Sequence, residues 1–475
     1  MATPADTPTD AAPRPTTLGA LRAGGYRPRP LRAEMRENLV ARLREGAPLF
    51  PGIQGYDETV LPALQNAILA GQDMILLGER GQAKSRIIRA LVSLLDEWAP
   101  VLDGPEIPED PFAPISEQGQ RLIEEQGDDA PIRWLAAEDR YGEKLATPDI
   151  TIADLIGEVD PIKVAEGRYL SDALTIHFGL VPRTNRGIFC INELPDLAER
   201  IQVGLLNIME ERDVQIRGFR VRLPLDILIV ASANPEDYTN RGRIITPLKD
   251  RYGAQIRTHY PELVETEIAI MRQETSPIAV EGLRVDVPAY MEEVVAEVTR
   301  LARRSPDISQ RSGVSVRASI AAMETLVANA VRRAISLEES HVVPRVSDLP
   351  HVLPAIQGKM EMETVDDDKD AQVLEKMLQG GVAAVFNRRF NVVDLEEVVA
   401  VFKTGTSVEV GEGVPAADYP ALLTSVEGLR EALQPLQVGE DPADLAAAVE
   451  FVLEGLHLNK RLNKDQVGAR IQYRG

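Results

Sequence analysis

The sequence Gly-Glu-Arg-Gly-Gln-Ala-Lys-Ser occupies residues 78–85, directly after the apolar run 74–77 and directly before a segment with helical periodicity. A strand that leads through a glycine-rich turn into a helix presents backbone N–H groups to phosphate oxygens, and the helix N-terminus adds its positive dipole end. In such a loop Lys84 reaches the outer phosphates and the Ser85 hydroxyl coordinates Mg²⁺. The stretch therefore predicts a phosphate-binding loop in an α/β fold.

The whole loop is assigned to nucleotide binding, through Gly78, Glu79, Arg80, Gly81, Gln82, Ala83, Lys84, Ser85 and Arg86. Ala83 stands where the pattern usually has Gly, and because Ala disfavours a positive φ we expect a slightly altered loop. A helix follows, since apolar residues recur at nearly 3.6-residue spacing, at Ile87, Ile88, Leu91, Val92, Leu95 and Trp98. A strand-turn-helix unit that binds nothing is the alternative, and the context of the loop disfavours it.

The composition excludes several classes of protein. The 475-residue chain is 44% hydrophobic and carries a net charge of −22, which argues against broad nucleic-acid binding because that needs a cationic surface. Cys190 is the single cysteine, so no disulfide forms within the chain, and a cytoplasmic location fits. No apolar stretch reaches about 18 residues, so we expect no membrane span. The histidines are scattered, which disfavours a structural zinc site.

Changes of pattern along the chain predict its regions. Residues 1–30 are expected to form a disordered tail. Residues 31–262 form the α/β domain, with a helix at 31–45 and an acidic, Pro-rich surface insertion at about 99–145. Residues 263–360 have a mostly helical pattern, which predicts a lid domain, and an acidic linker follows at 361–370. Residues 371–475 are expected to form a separate, mostly helical C-terminal region.

A polar pair follows a second buried strand. The apolar run 188–191 ends at Asn192 and Glu193, and in a parallel sheet such a strand ends beside the phosphate loop. Glu193 would polarise the attacking water. Asn192 would accept a hydrogen bond from a Mg²⁺-bound water, although it lacks the charge of the usual Asp. The alternative is that the pair begins the next helix, with Asn192 near an N-cap.

Three further residues complete the candidate site. Asn234 follows a buried strand at 227–232, where its amide would hold the attacking water; its alternative role is that of a turn residue before proline. Arg251, and Arg317 at the start of a helix, would both neutralise charge in the transition state. The alternative for either arginine is a surface salt bridge, worth under about 1 kcal/mol.

In this order the motifs resemble those of an AAA+ ATPase. Walker A corresponds to 78–85, Walker B to 188–193, sensor 1 to Asn234, the arginine finger to Arg251 and sensor 2 to Arg317. The closer resemblance is to the helix-2-insert branch, which includes the I subunit of magnesium chelatase and the MoxR ATPases. It rests on further segments of the chain, at 155–161, 166–168, 179–188, 210–214, 234–236 and 250–253.

The resemblance implies hydrolysis of ATP with Mg²⁺ as cofactor, by a parallel sheet sandwiched between helices and followed by a helical lid. It also implies a homo-oligomeric ring, a hexamer, in which Arg251 acts on the ATP of the neighbouring subunit. The hairpin expected at 213–223 would move with the nucleotide state and act on a client. The chain lacks an Asp-x-Ser-x-Ser motif, so the von Willebrand A (VWA) domain typical of the system would belong to a partner. Ala83 and Asn192 depart from the Walker patterns, which puts fast hydrolysis in question but not nucleotide binding.

The sequence is compatible with several functions of such a motor. The leading hypothesis is an ATP-driven machine that remodels a client or helps to assemble or metallate it. The second is the motor subunit of a magnesium or cobalt chelatase in tetrapyrrole synthesis. The third is a nucleotide-gated assembly scaffold with little turnover, which Ala83 and Asn192 favour modestly. A transcriptional activator of the related AAA+ type is disfavoured, because the sequence has no Gly-Ala-Phe-Thr-Gly-Ala loop.

Overall fold

The computed structural model describes residues 14–159, 176–211, 223–234, 243–309, 312–363 and 367–475. The chain forms two compact units. The first comprises the residues up to Gly78 together with Ala83–Thr258, and the second comprises Glu79–Gln82 together with His259–Gly475. The turn at 166–168 and nearly all of the hairpin expected at 213–223 lie outside the described residues.

A five-stranded parallel sheet forms the core of the first unit. Its strands are β1 (Met74–Leu77), β4 (Tyr141–Leu145), β7 (Gly187–Asn192), β8 (Ile227–Ala233) and β9 (Ala254–Arg257). Their order across the sheet is β4-β7-β8-β1-β9, and every pairing is parallel. The strand before the phosphate loop therefore lies between β8 and β9, and the predicted parallel α/β fold is confirmed.

Both faces of this sheet are buried, because successive side chains of a strand point to opposite sides. In β7, Ile188 and Cys190 belong to one hydrophobic core, whereas Phe189 and Ile191 belong to a second core on the other face. The near-continuous apolar runs in the sequence thus serve two cores at once.

The helices of the first unit have the bounds α1 (Leu18–Ala23), α2 (Leu31–Glu45), α3 (Val60–Ala70), α4 (Lys84–Ala90), α5 (Glu117–Gln126), α6 (Ile152–Leu155), α7 (Leu180–Arg183), α8 (Glu199–Glu211) and α9 (Thr246–Arg251). The helix expected at 31–45 is present as α2. Residues 18–23 were expected within a disordered tail, but they form α1. Leu18 and Leu21 are buried in a small cluster with Leu102 and Ile132. Ordered structure therefore begins before residue 31.

The helix after the phosphate loop ends earlier than its periodicity predicts. α4 stops at Ala90, a 3-10 turn covers Leu91–Leu94, and Trp98 begins the strand β2 (Trp98–Leu102). Two side chains of α2 fix this change: the amide of Asn38 donates to the Leu94 carbonyl over 3.0 Å, and Glu34 accepts from the N–H of Asp96 over 2.7 Å. Trp98 is therefore not part of the helical face.

The segment expected to be a surface insertion, 99–145, is partly built into the sheet. β2 pairs antiparallel with β3 (Ile132–Ala136), and the segment ends in β4, the edge strand of the central sheet. β4 has the sequence Tyr-Gly-Glu-Lys-Leu, which shows no apolar run because an edge strand is only partly covered. A further antiparallel pair consists of β5 (Gly157–Val159) and β6 (Ile176–Phe178).

The second unit is mostly helical. Its helices are α10 (Val264–Glu274), α11 (Ala289–Ala302), α12 (Val316–Ser336), α13 (Leu353–Gln357), α14 (Asp367–Arg389), α15 (Glu396–Lys403), α16 (Leu422–Ser425), α17 (Leu429–Ala432) and α18 (Pro442–Leu458). Two short strands, β10 (Arg284–Val285) and β11 (His341–Val342), pair in parallel. An antiparallel sheet of order β12-β14-β13 is formed by residues Ser407–Val410 (β12), Asn463–Val467 (β13) and Arg470–Arg474 (β14).

The lid and the C-terminal region share one hydrophobic core, although the sequence suggested a separation at 361–370. The core runs from Met271 to Tyr473. The rings of Tyr290 in α11 and Phe451 in α18 lie 4.7 Å apart between centroids. α14 begins at Asp367, inside the expected linker, and a Cβ on its Gly381 would come within 2.7 Å of α11. Residues 259–363 and 367–475 therefore fold together.

In the part of the chain that the structure describes, no helix combines the length and the apolar character needed to cross a membrane.

Candidate nucleotide-binding site

The phosphate loop joins β1 to α4 at the carboxyl edge of the central sheet. Lys84 is only 7% exposed, and its ammonium group donates to the carbonyl of Gly78 at the start of the loop. The N–H of Gly78 donates in turn to the carbonyl of Ala233 at the end of β8, over 3.1 Å. The lysine is thus held across the loop. A phosphate would offer it a charged acceptor, which makes a stronger hydrogen bond than a carbonyl does.

Ala83 keeps the left-handed backbone at the base of the loop, with φ 55° and ψ 16°. This conformation costs an L-residue roughly 1–2 kcal/mol, whereas Gly adopts it readily. The departure from the usual Gly therefore appears as local strain, and the turn into α4 is retained.

Two glycines allow a close approach within the second unit. A Cβ on Gly81, whose φ is +76°, would lie 1.9 Å from the Oγ of Ser315. A Cβ on Gly313, whose φ is +65°, would lie 2.3 Å from the carboxylate of Glu79. The segment before α12 therefore lies directly against loop residues 79–82. The sequence did not indicate this contact, because its two sides are far apart along the chain.

Asn192 ends β7 and is 8% exposed. It does not cap a helix: a 3-10 turn begins at Leu194 without a side-chain cap, and α8 begins only at Glu199. Its Oδ1 accepts from Ser232 Oγ over 3.1 Å and from Cys190 Sγ over 3.5 Å, while its Nδ2 donates to Glu143. Burial raises the pKa of the Cys190 thiol to about 12, so at neutral pH it keeps the proton it donates. The amide of Asn192 is thus fixed on both sides.

Glu193 has a left-handed backbone, with φ 54° and ψ 48°, directly after β7. Such strain in a non-Gly residue persists where the surrounding structure imposes it, as at active sites. The N–H of Glu193 donates to Ser232 Oγ over 3.1 Å, and the same hydroxyl donates to Asn192. Ser232 therefore ties the two polar residues together. The sequence pattern did not single out Ser232, although its place two residues before Asn234 puts both on one face of the strand.

Glu143 is a second residue that the sequence pattern did not single out, because it lies in the segment expected to be an insertion. It is on β4, and its carboxylate accepts two hydrogen bonds from Arg89, over 2.8 and 2.9 Å, and one from the hydroxyl of Tyr141, over 2.9 Å. The hydrogen bonds from Arg89 outweigh partial burial and hold the pKa of Glu143 below its ordinary value. A charged carboxylate thus lies against Asn192.

Asn234 follows β8 and is 3% exposed. Its Oδ1 is buried and accepts no hydrogen bond from the described residues. An unsatisfied buried acceptor costs about 1–3 kcal/mol, so the atom fits a ligand or a water that a ligand brings. Because β7, β8 and β1 are neighbours, the chain leaves three adjacent strands at Glu193, Asn234 and Gly78. This edge suits a hydrated polyphosphate.

Arg251 ends α9 and forms an ion pair within its own unit. Its Nη2 donates to Glu210 Oε2 over 2.7 Å, and its Nη1 lies 3.3 Å from Asp250 Oδ2. The hydrogen bond to Glu210 raises the pKa of the guanidinium. In the single chain this arginine therefore makes the surface contact that was its alternative role, and its action on a neighbouring subunit stays a prediction.

Arg317 is the second residue of α12 and its side chain is exposed. Ser315 caps this helix, because its Oγ accepts from the N–H of Arg317 over 3.1 Å. The same Ser315 lies against Gly81, so within the second unit the helix begins beside the loop residues 79–82. The role of Arg317 as sensor 2 stays a prediction.

The chain is similar in sequence to several known proteins. Residues 164–248 match a family model described as the Sigma-54 interaction domain. The chain is 29% identical over 276 residues to the 38 kDa subunit of magnesium chelatase from Rhodobacter capsulatus, which covers 54% of this chain and 69% of that protein. It is 26% identical over 374 residues to magnesium-chelatase subunit ChlI of a Synechocystis species, and the match covers 73% of this chain and 95% of that protein. The chain is an AAA+ ATPase.

Two solved structures illustrate what this ATPase is similar to. A cryo-EM-based model of the complex between subunits BchI and BchD of magnesium chelatase is 20% identical, with a TM-score of 0.35 and coverage of 70% of this chain and 95% of that one. NtrX from Brucella abortus in complex with ADP is 14% identical, with a TM-score of 0.34 and coverage of 65% and 58%.

The structure brings some of the predicted residues of the ATPase together and not others. In the first unit, the loop residue Lys84 and the strand-end residues Asn192, Glu193 and Asn234 lie at one edge of the sheet. Arg251 pairs with Glu210, and Arg317 belongs to the second unit. The roles assigned to these residues stay predictions.

Proposed function

We propose that this AAA+ ATPase is a motor that uses ATP to remodel a client protein or to help assemble or metallate it. The motor would work as a ring of identical subunits, with a partner that carries a VWA domain. The observation that carries the proposal is the edge at which the chain leaves three neighbouring strands, at Gly78, Glu193 and Asn234. At such an edge a phosphate-binding loop, a carboxylate base and a buried amide would surround one reacting group.

The chemistry follows from the groups at this edge. Glu193 would take the proton of the attacking water, and Asn234 would orient that water through its buried amide. Lys84 would neutralise charge on the phosphates. Mg²⁺, when bound, would neutralise the phosphates further, with Ser85 and Asn192 as the predicted groups near it. The hydrogen bond from the Glu193 N–H to the hydroxyl of Ser232 fixes the backbone that would carry this base.

The ring arrangement gives Arg251 a role that a single chain cannot. A positive group that meets the phosphates of a neighbour stabilises the transition state only when two subunits are correctly placed. Loss of the γ-phosphate would then change the contact between subunits, which converts hydrolysis into motion. Size measured by light scattering should increase when ATP is added, and an unchanged monomer would argue against the ring.

Steady-state ATP hydrolysis tests the motor directly. The wild-type protein is compared with Glu193→Gln, and Glu199→Gln serves as the control, because Glu199 is an exposed residue of the same segment. We expect turnover that Glu193→Gln abolishes and Glu199→Gln leaves unchanged, with ATP binding retained in all three proteins. Equal turnover in Glu193→Gln would exclude Glu193 as the base. ATP binding without turnover in the wild type would favour the nucleotide-gated scaffold.

A second candidate function is the motor subunit of a metal chelatase. It is favoured by the likeness to magnesium-chelatase subunits, at 26–29% identity over 276–374 residues. Reconstitution with D- and H-type subunits, followed by the absorbance of the metallated porphyrin, distinguishes it. Metal insertion that requires this chain would establish the chelatase, and ATP turnover without insertion would leave the remodelling motor.

A further inference from the structure

The side-chain amide of Asn192 already makes hydrogen bonds within the protein, and these use the acceptor sites that a metal-bound water would need. A carbonyl oxygen has two lone pairs, and the Oδ1 of Asn192 already accepts from Ser232 and Cys190. The Nδ2 group is only a donor, so it can neither coordinate a cation nor accept a hydrogen bond from a metal-bound water. The strand that normally supplies a carboxylate to the metal therefore supplies none here.

A carboxylate is nevertheless present at this point, on the neighbouring strand. β4 pairs in parallel with β7, with Leu145 opposite Asn192, and Glu143 comes two residues before Leu145 on the same face of β4. Glu143 accepts from Asn192 Nδ2, and its side chain is 20% exposed. Asn192 thus acts as a donor that positions this carboxylate.

A further partner of Glu143, besides Asn192 and Tyr141, comes from the helix that carries the predicted metal ligand. Arg89 lies four residues after Ser85 on α4, so the two side chains share one face of the helix, about one turn or 5.4 Å apart. Arg89 makes a bidentate hydrogen bond to the carboxylate of Glu143, although the side chain of Arg89 is 63% exposed. Glu143 is therefore held between the face of α4 that bears Ser85 and the end of β7 at Asn192.

We propose that Glu143 is the carboxylate of the Mg²⁺ site and that Arg89 occupies it until the metal arrives with nucleotide. The inference rests on the proposed Mg²⁺–ATP site. Mg²⁺ binds carboxylates and keeps several waters, so Glu143 can act through a metal-bound water without moving far. Arg89 can yield its place, because its own side chain is 63% exposed and can turn into solvent. The chain thus restores, from the next strand, the negative charge that Asn192 lacks.

The two variants Glu143→Gln and Arg89→Gln are predicted to act in opposite directions. Binding of a fluorescent ATP analogue to the full chain is titrated with Mg²⁺ and repeated in EDTA, and bound Mn²⁺ is counted by electron paramagnetic resonance. We expect Glu143→Gln to weaken the apparent affinity for the metal about 10- to 100-fold, as loss of a group that orients or completes a metal shell does, with nucleotide affinity in EDTA unchanged. Arg89→Gln should tighten the apparent affinity for the metal, because the competing cation is gone.

Glu117→Gln is the matched control, since Glu117 pairs with Arg121 on the surface of α5 and should leave the titration unchanged. A metal dependence of Glu143→Gln equal to that of the wild type would overturn the proposal. So would weaker metal binding in Arg89→Gln, because the pair would then be purely structural. If Glu143→Gln does not fold, Arg89→Gln alone decides by the sign of its effect. If the wild type binds no nucleotide with or without Mg²⁺, the proposed function itself fails.

Discussion

Glu34 and Arg140 form a bidentate ion pair inside the first unit, with N–O distances of 2.7 and 2.8 Å. The side chains of Glu34 and Arg140 are 3% and 1% exposed. The pair joins α2 to the residue just before the edge strand β4. Arg140 also donates through Nε to the carbonyl of Arg186 over 2.8 Å, so its guanidinium is satisfied only while Glu34 is present.

Removal of Glu34 should destabilise the first unit strongly. Glu34→Ala leaves a buried guanidinium without its counter-charge, which costs about 3–5 kcal/mol. Urea unfolding followed by circular dichroism measures this loss. Asp128→Ala is the control, because the Asp128–Arg22 pair is 63% and 59% exposed and should contribute under about 1 kcal/mol. Similar losses in both variants would contradict the prediction.

Gly81 should tolerate no side chain, in contrast to Ala83. Gly81→Ala places a Cβ 1.9 Å from Ser315 Oγ and should lower stability by about 1–3 kcal/mol and weaken ATP binding. Ala83→Gly removes strain at φ 55° and should leave ATP binding intact. Thermal unfolding and nucleotide titration measure both effects.

A double variant identifies the contact that matters at Gly81. Ser315→Gly removes the opposing Oγ and Cβ. Because Gly is tolerated at an N-cap, this change alone should lower the stability by only about a few tenths of a kcal/mol. In the Gly81→Ala background it should recover part of the lost stability. The remaining loss would measure the positive φ. No recovery would mean that backbone strain alone explains the effect.

Arg251 should be required for turnover but not for nucleotide binding. If it acts on the ATP of a neighbour, Arg251→Ala should reduce kcat by about 10³- to 10⁵-fold. Glu210→Gln is the matched control, because it breaks the same ion pair of 2.7 Å from the other side and should keep turnover. Equal losses in the two variants would show that only the ion pair matters, and unchanged turnover in Arg251→Ala would exclude its role as arginine finger.

His341 should make the stability of the second unit depend on pH. Its ring nitrogens lie 2.8 Å from Asp441 and 2.9 Å from Asp286, and Asp444 lies nearby. Burial by itself would lower the pKa of His341, but the hydrogen bonds to the two carboxylates raise it above 6.5. The charged imidazole therefore stabilises the fold fully below pH 6.5, and this contribution is lost as the pH rises through the raised pKa.

Unfolding free energies of the wild type and His341→Gln across pH 6–9 test this linkage. The difference between the two proteins should be largest at the acidic end and shrink as the pH rises. Arg430→Gln is the control, since it removes an exposed ion pair with Glu440 in the same unit without removing an imidazole. A His341→Gln effect that grows with pH would contradict the assignment of charge.

The sequence predicted the features of the fold and site that are encoded locally. The phosphate loop, the buried strands that end at Asn192 and at Ala233, and the parallel sheet all follow from apolar runs bounded by glycine or polar residues. Such runs identify central strands because both faces of those strands are buried. The same local motifs resemble those of AAA+ ATPases and therefore predicted the family.

The tertiary structure decided what depends on contacts between distant segments. β4 has no apolar run, since an edge strand is only partly covered, so neither its place in the sheet nor Glu143 was predicted. α4 ends at Ala90 although the apolar periodicity continues, and side chains of α2 bind the backbone of the segment that follows, at Leu94 and Asp96. The charged stretch near 361–370 suggested a linker, whereas apolar residues on both sides of it fold into one core. Pattern in a sequence reports which face of an element is buried, and only the folded chain determines what lies against that face.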